Sequence, residues 1–105
     1  MSESAETVTV VDAPERQRYE ARVGEVLAGF AQYIRTAELV AFVHTEVDPG
    51  FEGRGIGGAL VRASLDAARA TGTSVLAVCP FYSGWIARHP EYRDLLYAGR
   101  SRVSD

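Results

Sequence analysis

The feature that most constrains the fold is a glycine-rich segment, Glu52–Gly58, at which the periodicity of the apolar residues changes. Before it, β-branched and aromatic residues recur in short runs with the period of two that is typical of strands. After it, Ala59–Ala70 carries apolar residues on one side and charged residues on the other, which is typical of a helix. The chain must therefore join a strand to a helix through a glycine loop.

Four runs before the glycine loop are predicted to form strands. They are Thr7–Val11, Arg16–Val23, Val26–Arg35 and Glu38–Val47. The connections between the last three runs are short, at Gly24-Glu25 and at Thr36-Ala37, and this favours an antiparallel meander. Pro49 ends the fourth strand because proline has no amide hydrogen to donate to a sheet.

After the helix, Ser74–Val78 predicts a short buried strand that stops at Pro80, and residues 81–88 and 90–97 predict two short helices. A strand, a crossover helix and a second strand imply that the fourth and fifth strands are parallel. We therefore predict an α/β fold with a mixed sheet. Its order is an antiparallel meander, the glycine loop, a helix, a parallel fifth strand and short C-terminal helices.

At 105 residues the chain has room for one domain, 1–105, and we expect frayed ends at about residues 1–5 and 99–105. The net charge of −3 is spread along the chain without a basic stripe, so we expect no nucleic-acid partner. One cysteine and two histidines favour neither a disulfide framework nor a metal site. The lack of an apolar N-terminal segment and of long apolar runs predicts a cytoplasmic protein with no membrane partner.

The glycine loop carries the groups that bind anions. The free N–H groups at a helix start and the positive end of the helix dipole attract phosphate. Glycine lets a phosphate approach the backbone closely because no Cβ stands in the way. Arg54 adds a guanidinium group whose planar fork suits phosphate oxygens. The alternative is that the glycines only end a strand and begin a helix.

Two common phosphate motifs fit this loop poorly. Gly53, Gly55 and Gly58 satisfy G-x-G-x-x-G, but a dinucleotide site places that motif after the first strand of its fold. Such a site also has an acidic residue at the end of the next strand, where this chain has Cys79. A nucleoside triphosphate loop needs Gly-Lys-Ser/Thr, which the chain lacks. NAD and ATP are therefore disfavoured as ligands.

Several motifs together resemble a known family. Val47-Asp48-Pro49, followed after a short gap by Arg54–Leu60 (RGIGGAL), resembles the pyrophosphate-binding motif of the GNAT superfamily of acyl-CoA N-acyltransferases. Over roughly residues 15–96, four motifs in order are similar to a small stand-alone GNAT-like N-acetyltransferase family. They are His44–Val47 (HTEV), Glu52–Gly57 (EGRGIG), Cys79–Phe81 (CPF) and Arg88–Tyr92 (RHPEY).

The resemblance implies an acetyl-CoA-dependent N-acetyltransferase with a GNAT-like fold. The acceptor amine stays open, since a protein lysine, a polyamine and a small metabolite are all compatible with the sequence. The protein is expected to be a monomer or a homodimer. The chain lacks much of the helix pair that covers the substrate in longer GNAT enzymes. A non-catalytic module that binds or senses acyl-CoA is therefore the alternative.

The resemblance also implies which residues contact the cofactor. The pantetheine arm would bond to the main chain of the fourth strand at Thr45, Glu46 and Val47, and Tyr82 is a further candidate because it follows the fifth strand. The pyrophosphate would lie on the loop residues Gly53, Arg54, Gly55, Ile56, Gly57 and Gly58. Glu52 departs from the superfamily, which usually has Gln or Arg there, and its carboxylate is expected to face away from phosphate.

Three residues are candidates for catalysis. Cys79 ends the fifth strand, and parallel strands would place it at the same edge as His44–Val47. A thiol beside an imidazole can form a thiolate nucleophile, and in the small family this cysteine is regarded as a candidate acyl acceptor. The alternative for Cys79 is a buried, apolar role. Strand alternation would place Phe42, His44 and Glu46 on one face, where Glu46 could orient or charge His44. The alternative to an acyl-enzyme is a direct transfer with His44 or Glu46 as the general base.

Overall fold

The computed structural model describes residues 7–97 and has its elements in the predicted order. The strands are β1 Val8–Ala13, β2 Arg18–Val23, β3 Val26–Arg35, β4 Leu39–Val47 and β5 Ser74–Ala77. The helices are α1 Ile56–Thr71 and α2 Pro80–Arg88, with short 3-10 helices at Pro14–Arg16, Pro49–Phe51 and Pro90–Leu95. No helix in this described part is long and apolar enough to cross a membrane. The predicted frayed ends lie outside the described residues.

The five strands form one sheet in the order β1-β2-β3-β4-β5. The first four are antiparallel neighbours, and β5 is parallel to β4, from the pair Leu39–Ser74 to the pair Phe42–Ala77. The helix α1 supplies the crossover that a parallel pair requires. The predicted mixed α/β sheet is therefore confirmed.

Among the boundaries that differ from the sequence prediction, two follow directly from backbone conformation. β2 begins only at Arg18, since Pro14–Arg16 forms a 3-10 helix and Gln17 closes it with a left-handed φ of 56°. α1 begins at Ile56 rather than at Ala59, so that two of the loop glycines lie in its first turn. The low helix propensity of glycine concealed this earlier start.

Both helices pack on one face of the sheet, which we call the covered face. In α1, the buried side chains Leu60, Val61 and Leu65 follow the apolar stripe that the sequence shows. In α2, Tyr82 stacks on Phe42 of β4 with ring centroids 4.3 Å apart. The buried sheet residues of this core are Tyr19, Ala21, Ala28, Ala31, Tyr33, Val40, Phe42 and Val75.

The other face of the sheet, which we call the open face, has no helix over it within residues 7–97. The strands β2, β3 and β4 present to it the side chains that alternate with the core residues. These side chains are Arg18, Glu20, Arg22, Phe30, Gln32, His44 and Glu46. Most of them are polar or charged, and two of the predicted catalytic residues are among them.

Candidate active site

The strands β4 and β5 separate at the edge of the sheet that carries the predicted site. Their ladder ends at Phe42 and Ala77, and the N–H of Cys79 then donates to the carbonyl of Phe42 over 2.8 Å. β4 continues to Val47, whereas β5 gives way to α2. The main-chain groups of Val43–Val47 that point towards β5 therefore lie beyond the ladder between these strands. Such an edge can hydrogen-bond an extended ligand.

A β-bulge at Val43 decides which way the side chains of β4 point. Gln32 of β3 is opposite His44, but the next residue, Tyr33, is opposite Phe42, so that Val43 is the extra residue. The bulge leaves Phe42 on the covered face and turns His44 to the open face. The sequence prediction put both on one face and was wrong, because it assumed a regular strand.

His44 and Glu46 form a hydrogen-bonded pair on the open face. The Nε2 atom of His44 lies 2.9 Å from Oε2 of Glu46. A carboxylate only accepts hydrogen bonds, so Nε2 carries the hydrogen and Nδ1 has the lone pair in the neutral imidazole. The two side chains are 51% and 60% exposed, so that an incoming molecule can reach them. This pair can therefore take a proton from a ligand on the open face.

The thiol of Cys79 lies on the other side of β4. It is buried, and Sγ is 3.6 Å from the hydroxyl oxygen of Thr45, whose partner on β3 is the fully buried Ala31. The predicted pairing of this thiol with the His44 imidazole was wrong, because the bulge directs His44 to Glu46 and leaves Thr45 at the sulfur. A hydroxyl is a much weaker base than an imidazole, so Thr45 does not replace His44 as a base beside this thiol.

The glycine loop follows β4 through a capped turn. The Asp48 carboxylate accepts a hydrogen bond from the N–H of Gly50 over 2.8 Å and thereby caps the start of the 3-10 helix that follows the strand. Gly53 and Gly55 then take left-handed φ angles of 83° and 79°, which residues with a Cβ rarely adopt. A Cβ on either of them would meet nothing within 4 Å, so the space beside them is open. The loop thus gives a ligand access to bare backbone.

The first turn of α1 has the donors that a phosphate requires. Gly55 is the N-cap and has no side chain to bond them, and the first intrahelical bond runs from the N–H of Ala59 to Gly55. No acidic residue lies in this turn to neutralise the positive end of the helix dipole. The guanidinium of Arg54 lies 5.1 Å from the ring centre of Phe51, just before the turn. The loop therefore fits a pyrophosphate.

Phe81 forms a wall beside this helix start. A Cβ at Gly57 would lie 2.6 Å from Cζ of Phe81, so that a larger residue there would push aside the ring, which is 40% exposed. The neighbouring Tyr82 points into the core, where its hydroxyl lies 2.7 Å from the Ser64 hydroxyl and burial raises its pKa. The structure therefore places Phe81, rather than the predicted Tyr82, beside the glycine loop.

The other predicted cofactor residues lie together at this edge. Thr45 and Val47 belong to the part of β4 that extends beyond its ladder with β5. The loop residues from Gly53 follow after the short 3-10 helix Pro49–Phe51. Val47 and Ile56 pack their side chains against the core, so both offer a ligand mainly their main-chain groups. Glu52 is exposed to solvent. Among the described residues, no three His, Cys, Asp or Glu side chains are grouped so that they could hold a metal ion.

A family model described as GCN5-related N-acetyl-transferase matches residues 18–95, from the start of β2 to the last 3-10 helix. This chain belongs to the GCN5-related N-acetyltransferase family. The resemblance that the four motifs indicated is confirmed, and the protein is an acyltransferase. Members of the GCN5-related family normally use acetyl-CoA. No curated protein sequence is significantly similar to the chain.

Two solved structures are similar to this GCN5-related protein to different degrees. The NMR solution structure of a GCN5-like protein from Staphylococcus aureus, classed with the N-acetyltransferases, has a TM-score of 0.64 at 19% identity, over 86% of this chain and 88% of that one. It confirms the predicted GNAT-like fold. An aminoglycoside acetyltransferase from an uncultured soil metagenomic sample, in complex with trehalose, has a TM-score of 0.48 at 13% identity, over 81% of this chain and 67% of that one. That second likeness is too distant to carry an argument.

Two residues on the same face as the His44–Glu46 pair were not predicted from the sequence. Phe30 was not singled out, although its ring lies 6.2 Å from that of His44. Glu20 was not singled out either, although the structure buries it. Alternation along β2 does place Arg18, Glu20 and Arg22 on one face, and that was the available signal. The pairing of Phe30 depends on the bulge, which the sequence does not mark.

Proposed function

We propose that this GCN5-related protein is an acetyl-CoA-dependent N-acetyltransferase that acetylates an amine directly, without an acyl-enzyme. The observation that carries the proposal is the His44–Glu46 pair, which the bulge at Val43 directs to the open face beside the separated edge of β4. The amine would approach from the open face, while the cofactor would lie along the edge. A base on the acceptor side of the strand is what a direct transfer requires.

Acetyl-CoA would supply an acetyl group as a thioester, whose C–S bond breaks as the new C–N bond forms, and the thiolate that leaves takes up a proton from solvent. The N–H groups at the start of α1 and the guanidinium of Arg54 would hold the pyrophosphate. Main-chain groups of Thr45, Glu46 and Val47 would bond the pantetheine arm along the edge of β4. The ring of Phe81 would close the site on the side of α2.

His44 would act as the general base. A primary amine is mostly protonated at neutral pH, so that it loses one proton before it attacks and a second one as the amide forms. The Nδ1 atom of His44 can take a proton because Nε2 is held by the Glu46 carboxylate. Glu46 would then stabilise the charged imidazolium until its proton passes to solvent. The two residues thus have separate tasks, with His44 as the base and Glu46 as its positioning residue.

Cys79 has no chemical task in this proposal. Its thiol is buried beside Thr45, and its N–H continues the hydrogen bonding between β5 and β4. A buried cysteine commonly behaves as a small apolar residue, and this position supports such a role. The competing hypothesis is a covalent route in which Cys79 carries the acetyl group.

Calorimetric titration tests the cofactor. The protein is titrated in parallel with acetyl-CoA, NAD and ATP, and we expect micromolar binding of acetyl-CoA alone. Arg54→Ala should weaken that binding by at least roughly tenfold, because it removes a cation from the pyrophosphate. Arg93→Ala removes an exposed arginine of the last 3-10 helix and is the matched control. Absence of acetyl-CoA binding would contradict the proposal, and binding without acetylation of any amine would favour the non-catalytic module.

A further inference from the structure

The carboxylate of Glu20 on β2 is surrounded by three arginines. One oxygen lies 2.9 Å from Arg18 and 3.4 Å from Arg16, and the other lies 3.0 Å from Arg22. The Glu20 side chain is 5% exposed, whereas those of Arg16, Arg18 and Arg22 are 57%, 20% and 36% exposed. We call these four residues the arginine cluster. The anion is thus inside the cluster, and the cations form its surface.

The arginine cluster has an excess of positive charge. Burial raises the pKa of the Glu20 carboxyl, but the hydrogen bonds and charges of Arg18 and Arg22 outweigh this effect and hold the pKa below its ordinary value. Glu20 is therefore ionised at neutral pH. One carboxylate against three guanidinium groups leaves two positive charges at the surface of a chain whose net charge is −3. Such a surface attracts carboxylates.

The arginine cluster is continuous with the His44–Glu46 pair on the open face. Glu20 is opposite Phe30 in the β2–β3 ladder, and Phe30 is opposite Glu46 in the β3–β4 ladder. Neighbouring strands are about 4.8 Å apart, so that about 10 Å separates the two glutamates. The guanidinium of Arg18 lies 4.5 Å from the ring centre of Phe30, and that ring lies 6.2 Å from the His44 ring. A ligand can therefore touch both groups at once.

We infer that the acceptor is a lysine within an acidic segment of another protein, bound across the open face with its carboxylates on the arginine cluster. The inference rests on the proposed function and names the acceptor class of that same site. An extended segment advances about 3.3 Å per residue, so that the acidic residues lie about three positions from the acetylated lysine.

The shape of the open face favours a protein segment over a small amine. His44 and Glu46 are half exposed, and within residues 7–97 no helix closes over them. A small amine would be held from one side only and would keep most of its surface in water. A polyamine would also be repelled by the excess positive charge of the arginine cluster. An acidic segment covers the surface from the catalytic pair to the arginines and pairs with them.

Three peptides that differ only in charge test the inference. Each has one central lysine, and the residues three positions to either side of it are aspartate, asparagine or arginine. Acetylation is followed by mass spectrometry with acetyl-CoA present, and spermidine serves as the small acceptor. We expect kcat/KM for the aspartate peptide to exceed that for the arginine peptide by at least about tenfold, mainly through KM, with the preference shrinking at high salt.

The preference should follow the charge of the arginine cluster. Arg16→Gln combined with Arg22→Gln should erase the difference between the aspartate and arginine peptides, whereas Arg22→Lys should keep it. Arg16→Glu changes the most exposed arginine and should shift the preference towards the arginine peptide, which a merely structural role would not do. This single change also carries the test if the double variant does not fold. Arg93→Gln, outside the open face, is the matched control and should behave as the wild type.

The outcomes separate this inference from the proposed function. Equal kcat/KM for the three peptides, or acetylation of spermidine faster than of any peptide, would overturn the acidic acceptor and leave the acetyltransferase activity intact. A preference for aspartate that survives the double variant would overturn the role of the arginine cluster. Absence of acetyl-CoA binding in calorimetry would overturn the proposed function, and the inference with it.

Discussion

The covered and open faces of the sheet are built from the same strands but are stabilised differently. On the covered face, apolar side chains pack against α1 and α2, and residues such as Leu65 and Val75 are fully buried. On the open face, Glu20 is buried by arginine side chains rather than by a helix. Ion pairs can thus satisfy a face of the sheet that no helix covers within residues 7–97. Such a face stays accessible to a ligand, which a packed face does not.

The strand β4 carries candidate residues on both faces of the sheet. Each face corresponds to one of the two chemical hypotheses. His44 and Glu46 point to the open face, whereas Thr45 points to the covered side and meets Cys79. Direct transfer uses the open side, and a covalent route would use the covered side. Each hypothesis therefore predicts a loss of activity for variants on one side of β4 and little change for variants on the other side.

Loss of the base on the open face should have the largest effect. His44→Gln keeps a hydrogen-bonding side chain but cannot hold the proton, so we expect kcat to fall by about 10²–10⁴-fold. Cys79→Ala, on the covered side, should change kcat by less than about threefold. Both are measured with a lysine peptide and saturating acetyl-CoA. A large loss in Cys79→Ala together with an active His44→Gln would reverse the assignment of the two sides.

Shortening a side chain on the covered face should destabilise the protein far more than shortening one on the open face. Leu65→Ala leaves a cavity under α1, and we expect the free energy of unfolding to fall by about 2–5 kcal/mol. Val11, opposite Glu20 on the open face, is 42% exposed, so Val11→Ala should cost less than about 1 kcal/mol. Urea denaturation of both variants measures the difference. Similar losses would show that another part of the protein or a partner covers the open face.

A methyl group at the helix start should weaken cofactor binding without unfolding the protein. Gly57→Ala would place Cβ 2.6 Å from the Phe81 ring and beside the proposed pyrophosphate. We expect the affinity for acetyl-CoA to fall by at least about tenfold, measured by calorimetry. Gly84→Ala in α2 is the matched control, since its Cβ would meet only the flexible end of Arg88 at 3.5 Å. Equal affinity of the two variants would remove the first turn of α1 from the cofactor site.

Removal of the buried charge on the open face should have the smallest effect, and it should depend on pH. Glu20→Gln should lower the free energy of unfolding by about 1–2 kcal/mol at pH 7, because its arginine partners are partly exposed. The folded-state pKa of Glu20 lies below the ordinary 4.5, so its contribution is complete above that pH and is lost as pH falls through the folded value. The gap between wild type and variant should therefore close under acid. A gap that widens under acid would contradict the assigned direction of the shift.

Much of the fold could be predicted from the sequence because local patterns determine it. Alternating β-branched residues marked the strands, and the change of period at the glycine loop marked the crossover helix. The start of α1 was missed because Gly57 and Gly58 are poor helix formers that the loop holds in helical conformation. The error between Phe81 and Tyr82 has a similar origin, because the first turn of α2 decides which ring faces the loop.

The candidate site was less predictable, because it depends on register and packing. A bulge at Val43 turns His44 away from Cys79, yet valine there looks like any other strand residue. The burial of Glu20 depends on three arginines that fold over it from β2 and the preceding turn. The loop glycines were found because their left-handed backbone at Gly53 and Gly55 requires that residue type.

The most direct test of direct transfer is a steady-state kinetic measurement in which the concentrations of acetyl-CoA and of the best lysine peptide are both varied. Direct transfer predicts intersecting double-reciprocal plots, because both reactants must be bound together on β4, and no acetyl adduct on the protein when the peptide is omitted. Parallel plots, with a one-acetyl gain in protein mass that Cys79→Ala removes, would contradict direct transfer and make Cys79 the acyl carrier.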